Sequence, residues 1–187
     1  GAALALSAAG ANAATYASDV ISYNPGQCKN FNPSVCPVAT GSERYDPANA
    51  LGAADNKFFA LGLGGNITLG FGKTFGAPNN VSTYEVTYSR DTGHDEAVEV
   101  FAVLGGLETS LGVLTNVIGS ATLLATMTFE YIKLVDVTKS VFPNSSSFDG
   151  FDVDAVSVAA VPLPAAGALL LAGLGGFAAL RRRKNAA

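Results

Sequence analysis

The side chains best suited to chemistry are aspartates grouped late in the 187-residue chain. Asp149 and Asp152 bracket a Gly-Phe pair, Asp154 follows closely, and Asp136 ends an earlier apolar segment. Alternate residues of a strand share one face, so Asp152 and Asp154 could converge on an ion. Calcium takes about six to eight oxygen ligands, and these carboxylates are candidate ligands for such a site. The alternative is that these aspartates accept backbone hydrogen bonds in turns and bind no metal.

The most polar segment, residues 90–96, holds the only histidine, His94. A His–Asp pair here could take part in acid–base chemistry. The chain has no G-x-S-x-G nucleophile motif, and nothing in the sequence selects a carboxylate pair for glycoside cleavage. We therefore predict no catalytic residue and no enzyme. The alternative is a secreted carbohydrate-active enzyme that uses an acidic pair.

Residues 161–187 combine three features in a fixed order: a short Pro motif, an uncharged apolar stretch and a basic cluster. The motif consists of Val161, Pro162, Leu163, Pro164 and Ala165. The stretch over residues 165–180 is apolar and uncharged, which predicts a transmembrane helix. The cluster consists of Arg181, Arg182, Arg183 and Lys184. Such cations stop transfer and stay on the cytoplasmic side of the membrane.

This tail resembles the PEP-CTERM class of bacterial sorting signals, in its VPLPA variant. The resemblance implies recognition by an exosortase-type membrane protease and cleavage near Val161 to Ala165. It also implies transient anchoring in the inner membrane, followed by release or transfer to the cell surface. Members of the class usually occur in bacteria that make exopolysaccharide, so we expect a place in the envelope or the exopolysaccharide matrix.

Residues 1–14 are alanine-rich and end in a small-x-small pattern at Ala11-Asn12-Ala13. This is typical of the last part of a signal peptide, and we expect a mature start near Thr15. Cys28 and Cys36 are the only cysteines. In an exported chain, two cysteines at this spacing predict one local disulfide, because two thiolates and a distant histidine do not complete a metal site.

The charge balance restricts the partners of the segment between the two signals, residues 15–160. The tail holds four of the 11 Lys and Arg residues, which leaves seven against 15 Asp and Glu and a net charge near −8. An acidic domain repels nucleic acid and anionic lipid, so neither is expected as a partner.

The same segment shows the pattern of an all-β domain. Short apolar runs with period two lie between Gly-rich corners, as in Ser82–Ser89, Ala97–Leu104 and Glu130–Thr138. Five further strands are expected at Ala17–Tyr23, Phe58–Leu63, Asn66–Phe71, Thr122–Thr128 and Phe151–Val158. Val113–Leu124 is ambiguous. About eight strands without helices fit an antiparallel two-sheet sandwich or jelly roll.

The order of segments between residues 43 and 158 resembles a discoidin-type, galactose-binding-like β-sandwich. These segments begin with YDPANALGA at Tyr45 and FALGLGGNITLGF at Phe59, and end with DGFDVDAV at Asp149. The resemblance implies glycan or protein binding by loops at one end, and often a structural calcium, to which Asp46 would add a ligand. The chain has no Trp, so Tyr or Phe would have to stack on a sugar.

The sequence as a whole therefore predicts an exported surface protein with a binding, adhesive or structural role. Its β-sandwich is expected at residues 15–160, its sorting signal at 161–187, and calcium as its one candidate cofactor. A glycan or a surface protein is the expected ligand.

Overall fold

The alternating segments of the sequence fold into strands that belong to two sheets. The computed structural model describes residues 13–29, 36, 43–86, 93–117 and 119–161. Those from Ala14 to Ala160 belong to one compact unit. The described residues form these strands: β1 (Thr15–Tyr16), β2 (Asp19–Asn24), β3 (Phe59–Ala60), β4 (Asn66–Phe75), β5 (Asn79–Glu85), β6 (Ala97–Leu104), β7 (Leu107–Thr115), β8 (Ser120–Ala125), β9 (Phe129–Asp136) and β10 (Asp152–Ala160).

Helical structure within the described residues is short. It consists of 3₁₀ turns at Glu43–Tyr45 and Pro47–Ala50 and one helical turn, α1 (Thr138–Val141). Pro47 begins the second 3₁₀ turn, and the side chain of Asp46 caps it by accepting from Ala48 N.

Both sheets are antiparallel throughout their described pairings. The first sheet, sheet A, has the order β1-β10-β5-β8, with β3 also paired to β10. The second, sheet B, has the order β2-β4-β9-β6-β7. The two sheets pack face to face over one apolar core, as in other β-sandwiches. The prediction of an antiparallel two-sheet sandwich is confirmed.

The core consists of the inward-facing alternate residues of both sheets. Sheet B supplies Ile67, Leu69, Ile132 and Leu134 among others, and all four are fully buried. Sheet A faces them with Val81, Val153, Val156 and Val158. A stacked pair of rings, Phe75 and Phe129, lies 5.2 Å apart between centroids and closes the core on one side.

The ends of the sandwich differ in the length of their connections. At one end, β4, β6, β8 and β10 begin, and the connections there are long: residues 25–58, 86–96 and 137–151. We call this the loop end. At the opposite end, short connections such as Gly105-Gly106 join consecutive strands. The loop end therefore has the chain length needed to build a site.

Several element boundaries differ from the sequence prediction. β7 was not predicted, because it is an edge strand whose first four residues are all exposed and show no apolar alternation. The ambiguous segment Val113–Leu124 divides into the end of β7, a turn and most of β8. The predicted strand Glu130–Thr138 ends at Asp136, where the chain turns into α1.

Two predictions concern segments that fall largely outside the described residues. These are the signal-peptide remnant at residues 1–14 and the sorting signal at 161–187, of which only Ala13, Ala14 and Val161 are described. Among the described residues, no helix is long and apolar enough to cross a membrane.

Candidate functional site

The predicted acidic residues lie at the loop end, and two of them share one arginine. Arg44, in the first 3₁₀ turn, places its Nε 3.0 Å from Asp149 Oδ2 and its terminal nitrogen 3.8 Å from Asp152 Oδ2. Both carboxylates are buried, whereas the arginine side chain is 38% exposed. The guanidinium therefore covers a buried negative charge and links the segment before β3 to the start of β10.

Glu96, just before β6, completes this acidic cluster of Glu96, Asp149 and Asp152. Its Oε1 accepts a 2.7 Å hydrogen bond from Ser147 Oγ, and His94 Nε2 lies 3.7 Å away from the same oxygen. Burial and, to a smaller extent, the neighbouring carboxylates raise the pKa of Glu96 to about 8, although the hydrogen bond from Ser147 acts in the opposite direction. Burial likewise raises the pKa of Asp149 and, with the charge of Glu96 beside it, that of Asp152.

Three oxygens of this acidic cluster accept no hydrogen bond from any described residue. They are Glu96 Oε2, Asp152 Oδ1 and Asp149 Oδ2, all buried, and the last of them is ion-paired with Arg44 Nε. A buried carboxylate oxygen without a donor disfavours ionisation, which agrees with the raised pKa values. Glu96, with a pKa of about 8, can therefore hold a proton at neutral pH.

Asp136 has a different environment at the end of β9. Its two oxygens accept from Gly64 N, from Phe151 N, and from both the backbone N and the hydroxyl of Thr138. Burial still raises its pKa, although these donors act in the opposite direction. Asp136 thus fastens the connection between β3 and β4 to both ends of the connection 137–151, through hydrogen bonds of the kind that the turn alternative predicted.

The remaining predicted ligands also bond to backbone. Asp154 accepts from Asp55 N and Asn56 N at 3.0 and 3.1 Å, which fastens the segment before β3 to β10. Asp46 is exposed and accepts from Ala48 N. Among the described residues, no three His, Cys, Asp or Glu side chains come together closely enough to hold a metal ion. Calcium stays a prediction.

The predicted disulfide joins Cys28 and Cys36, whose Cα atoms lie 4.8 Å apart. Both residues are buried beside Tyr45 and Ala60 in a small second apolar cluster. Arg44 lies over the rings of Phe58 and Tyr45, at 5.3 and 5.8 Å from their centroids. The disulfide therefore supports the aromatic surface on which Arg44 rests.

A groove on the outer face of sheet B was not predicted. It encloses about 430 Å³ and runs over Gly70, between Asp19 and Ile21 of β2 on one side and Tyr131 of β9 on the other. Gly70 pairs with both Asp19 and Tyr131, so its missing side chain leaves the gap. A Cβ at Gly70 would lie 3.0 Å from the end of Ile21.

A large bulge in β4 closes one end of this groove. Gly70 pairs with Tyr131 and Phe75 pairs with Phe129, so residues 71–74 stand opposite Glu130 alone. The backbone of β4 therefore projects outward, and Gly72 takes a φ of 66° at the bend, which glycine adopts at little cost. The projection carries Lys73 and Thr74 to the groove, where both are exposed.

The groove is lined by groups that suit a polar ligand with an apolar face. Asp19 and Glu130 offer carboxylate acceptors, Lys73 offers an ammonium donor, and the ring of half-buried Tyr131 forms one wall. Within the described part of the chain, the side chains of Glu130 and Tyr131 make no hydrogen bond to other protein groups. They are therefore free to bond to a ligand.

Sequence reasoning could not locate this groove because its parts come from three separated segments. Asp19, Lys73 and Tyr131 meet only through the pairing of β2, β4 and β9. One local signal was available: the run Gly70-Phe71-Gly72 interrupts an apolar strand, and glycine inside a strand often marks a bulge or a close approach.

Comparisons with known proteins support the fold. No protein-family model matches the sequence, and no curated protein sequence matches it. Among solved structures, the family 32 carbohydrate-binding module of EndoD from Streptococcus pneumoniae is similar, with a TM-score of 0.52 and 12% identity. The match covers 80% of this chain and 100% of that module. At this identity the likeness concerns the fold alone, a two-sheet antiparallel β-sandwich.

Two further similar structures come from the protein AlyQ. Its CBM32 in complex with 4,5-unsaturated mannuronic acid has a TM-score of 0.45 and 13% identity, with 76% of this chain and 96% of that chain covered. Truncated AlyQ with CBM32 and alginate lyase domains has a TM-score of 0.46 and 15% identity. There the match covers 82% of this chain and 35% of that one, so this chain spans about a third of it.

Proposed function

We propose that this chain is an exported, exosortase-sorted surface protein whose β-sandwich binds glycans without altering them. The observation that carries the proposal is the groove over Gly70, in which one aromatic ring stands beside two carboxylates and an ammonium group. A sugar ring has apolar C–H faces and a rim of hydroxyls, so it matches a tyrosine wall with polar groups around it. Ligand pockets generally combine apolar walls with a few such orienting polar groups.

The charges of the groove indicate which glycans it accepts. Asp19 and Glu130 outnumber Lys73, so uronate-rich chains are repelled and uncharged sugars are favoured. The fold of the EndoD module agrees with a binding role, because that structure is named a carbohydrate-binding module. We therefore expect binding of neutral polysaccharides of the exopolysaccharide type.

The test is binding of the whole chain to a panel of neutral and acidic polysaccharides, in a detergent without sugar headgroups. Retardation in polysaccharide-containing gels and titration calorimetry would measure affinity. We expect Tyr131→Ala to weaken binding to the neutral chains about tenfold or more, as removal of an anchoring aromatic residue usually does. The matched control is Phe101→Ala, because Phe101 lies on the same face of sheet B outside the groove. Equal affinities for all three proteins would contradict the proposal.

The alternative, a carbohydrate-active enzyme, draws on the two carboxylates that share the groove, Asp19 and Glu130. Retaining and inverting glycosidases both need a pair of carboxyl groups at the cleaved bond. Release of reducing ends from a bound polysaccharide, abolished by Glu130→Gln, would establish the enzyme. Binding without any release of reducing ends over a long incubation would support a binding role and would contradict the enzyme.

The sorting part of the proposal rests on the tail, Val161–Ala165 with the apolar stretch and basic cluster that follow it. Intact mass and cell fraction of the native protein, with and without the host exosortase, test it. We expect a shortened external form in the wild type and a full-length membrane form in the mutant. An uncut tail in both strains would contradict sorting and would indicate that residues 161–187 act only as a membrane anchor.

A further inference from the structure

The outer face of sheet A differs from the outer face of sheet B in its composition. The strand registers place one row of residues, Tyr16, Ser157, Ser82 and Thr122, side by side across β1, β10, β5 and β8. Neighbouring rows contain Ala155, Tyr84 and Ser120, and Ala159, Asn80 and Leu124. We call these ten residues the hydroxyl face, since six of them carry a hydroxyl group.

Two tyrosine rings form the centre of the hydroxyl face. Tyr16 and Tyr84 stand on strands that flank β10, yet their ring centroids are only 6.2 Å apart and their planes differ by 39°. The rings therefore lean towards each other over β10, and Ser157, which faces the same side, is only 3% exposed. A hydrogen bond to Tyr84 raises the pKa of the Tyr16 hydroxyl. Both tyrosines are half-exposed to solvent, so the ring pair forms a ready aromatic surface on the outside of sheet A.

None of the ten residues of the hydroxyl face is charged. The outer face of sheet B, in contrast, carries Asp19, Glu99, Glu108 and Lys133, of which the last two form an ion pair at 2.8 Å. Beyond the hydroxyl face, towards the loop end, Asp154 is buried and bonded to backbone N–H groups. The rest of the domain is acidic and repels anions, whereas this face carries no charge. An uncharged partner can therefore bind here without electrostatic repulsion.

The partner that fits is a neutral polysaccharide chain. Most residues of the hydroxyl face are small, so an extended glycan can lie flat across the strands. Tyrosine combines an apolar ring with a polar tip, which suits a sugar ring and its hydroxyls at once. Ser82 and Thr122, whose hydroxyl oxygens are 2.7 Å apart, offer further donors and acceptors beside the rings.

A second copy of this chain fits the same face less well. The buried centre of a protein–protein interface is rich in large apolar and aromatic side chains. Apart from the two tyrosines, Leu124 is the only large apolar residue of the hydroxyl face, and it lies at the edge on β8. The hydroxyl groups would remain poorly paired against an identical face.

We propose that the hydroxyl face is a second glycan-binding site and that the protein cross-links neutral polysaccharide chains. The Tyr16–Tyr84 pair lies on the outside of sheet A, whereas the groove over Gly70 lies on the outside of sheet B. The two sites therefore point away from each other across the sandwich and cannot be filled by the same stretch of one chain. Cross-linking rests on the proposed function of the groove, whereas binding at the hydroxyl face does not.

The experiment compares binding stoichiometry and polysaccharide cross-linking for the wild-type chain and for variants of the hydroxyl face, of the groove and of both. Oligosaccharides of a neutral polysaccharide, identified in the gel panel, are titrated by calorimetry, and turbidity of the parent polysaccharide reports cross-linking. Tyr84→Ala removes half of the aromatic pair. Thr122→Lys places a charge on the hydroxyl face without removing a buried group, because Thr122 is exposed. Thr109→Lys, at an exposed position of β7, is the matched control.

We expect two oligosaccharides per wild-type molecule and one per Tyr84→Ala or Thr122→Lys molecule. Turbidity should fall about tenfold or more in those two variants, whereas Thr109→Lys should behave as wild type. The Tyr131→Ala variant should still bind one oligosaccharide. The double variant Tyr131→Ala/Tyr84→Ala should bind none, and these two results together would support both sites. If Tyr131→Ala changes nothing but Tyr84→Ala abolishes binding, the groove fails and the hydroxyl face stands as the single site, without cross-linking.

Two outcomes would overturn the inference. One is wild-type stoichiometry and turbidity in both Tyr84→Ala and Thr122→Lys. The other is a wild-type dimer in light scattering, without polysaccharide, that Thr122→Lys converts to a monomer. That second result would assign the hydroxyl face to another copy of this chain.

Discussion

Buried carboxylates at the loop end differ in their partners and so in their roles. Asp136 accepts from four donors and behaves as a structural acceptor between β9, β10 and the turn after Gly62. Glu96 and Asp152 each keep one buried oxygen without a donor among the described residues. Burial without donors raises pKa values, so these two groups are the pH-sensitive part of the loop end.

The first prediction concerns the pH dependence of stability at Glu96. Its pKa is about 8 in the folded state against an ordinary value of 4.5. Its proton therefore favours the folded state fully below pH 4.5, and this contribution is lost as the pH rises to about 8. The full loss is on the order of 5 kcal/mol. Glu96→Gln stays uncharged and can still accept from Ser147, so it should melt at a higher temperature than wild type at pH 8.5.

Melting curves of wild type and Glu96→Gln at pH 5 and pH 8.5 measure this effect. Glu99→Gln is the matched control, because Glu99 is half-exposed and bonded to Ser110 on the outer face of sheet B. It should leave the pH dependence unchanged. A Glu96→Gln protein as sensitive to alkaline pH as the wild type would contradict a protonated Glu96.

The second prediction concerns Asp136. Asp136→Ala leaves the N–H groups of Gly64 and Phe151 and the hydroxyl of Thr138 without their acceptor in a buried place. Such a loss should lower the free energy of unfolding by about 3 kcal/mol or more. Urea denaturation measures it. Asp46→Ala, which removes one exposed capping bond, should cost only about 1 kcal/mol, and equal costs would show that Asp136 has no special role.

At the scale of elements, the connections of the loop end are held by side chains as well as by backbone hydrogen bonds. The segment before β3 is linked to β10 by Asp154 and Arg44, and its cysteines form the disulfide. Strands in which inward-facing and outward-facing residues alternate regularly, such as β5 and β9, could be predicted from sequence. β7 could not, because an exposed edge strand has no apolar face to reveal it.

The third prediction concerns the disulfide between Cys28 and Cys36. Replacing both by serine removes a constraint on the unfolded chain, and for so short a loop the loss is about 2 to 3 kcal/mol. The melting temperature should fall, and reductant should lower the wild-type value by a similar amount while leaving the variant unchanged. Binding in the groove should persist, since its residues lie on sheet B. Loss of groove binding in the variant would show that the disulfide segment shapes the ligand site.

The candidate site illustrates the same limit of sequence reasoning. The aspartates were recognised by type, and three of them do lie at the loop end, but what each one bonds depends on packing. Asp149 and Asp152 meet Arg44, which is more than one hundred positions away from both. The groove depends on the register of three strands, which no local run of residues encodes, and on a bulge, for which Gly70 and Gly72 give a local signal.

At the scale of the whole molecule, the sandwich presents two unlike outer faces, one charged and one uncharged, with the buried acidic cluster at one end. The chain has far more acidic than basic residues between the two predicted signals, so its surface should repel anionic polymers. Binding to neutral polysaccharide should therefore change little with salt.

The fourth prediction is a calcium test on the whole chain. A ligand that binds only the folded state raises the melting temperature, and the rise grows with the logarithm of its concentration above the Kd. If calcium binds at the predicted aspartates, millimolar calcium should raise the melting temperature and a chelator should reverse the rise, with Asp152→Asn abolishing the effect. Identical melting with calcium and with chelator would mean that these aspartates serve the fold alone, through their bonds to Arg44 and to backbone N–H groups.

The position of β10 has a mechanical consequence. This strand ends at Ala160, directly before the predicted sorting motif, and it is bonded on one edge to β5 and on the other to β1 and β3. A pull on the tail along the strand axis would load all seven residue pairs between β10 and β5 at once, in shear. A peripheral strand pulled sideways would instead release its pairs one after another. A tether at this end would therefore load β10 in the direction in which its pairing with β5 resists force most strongly.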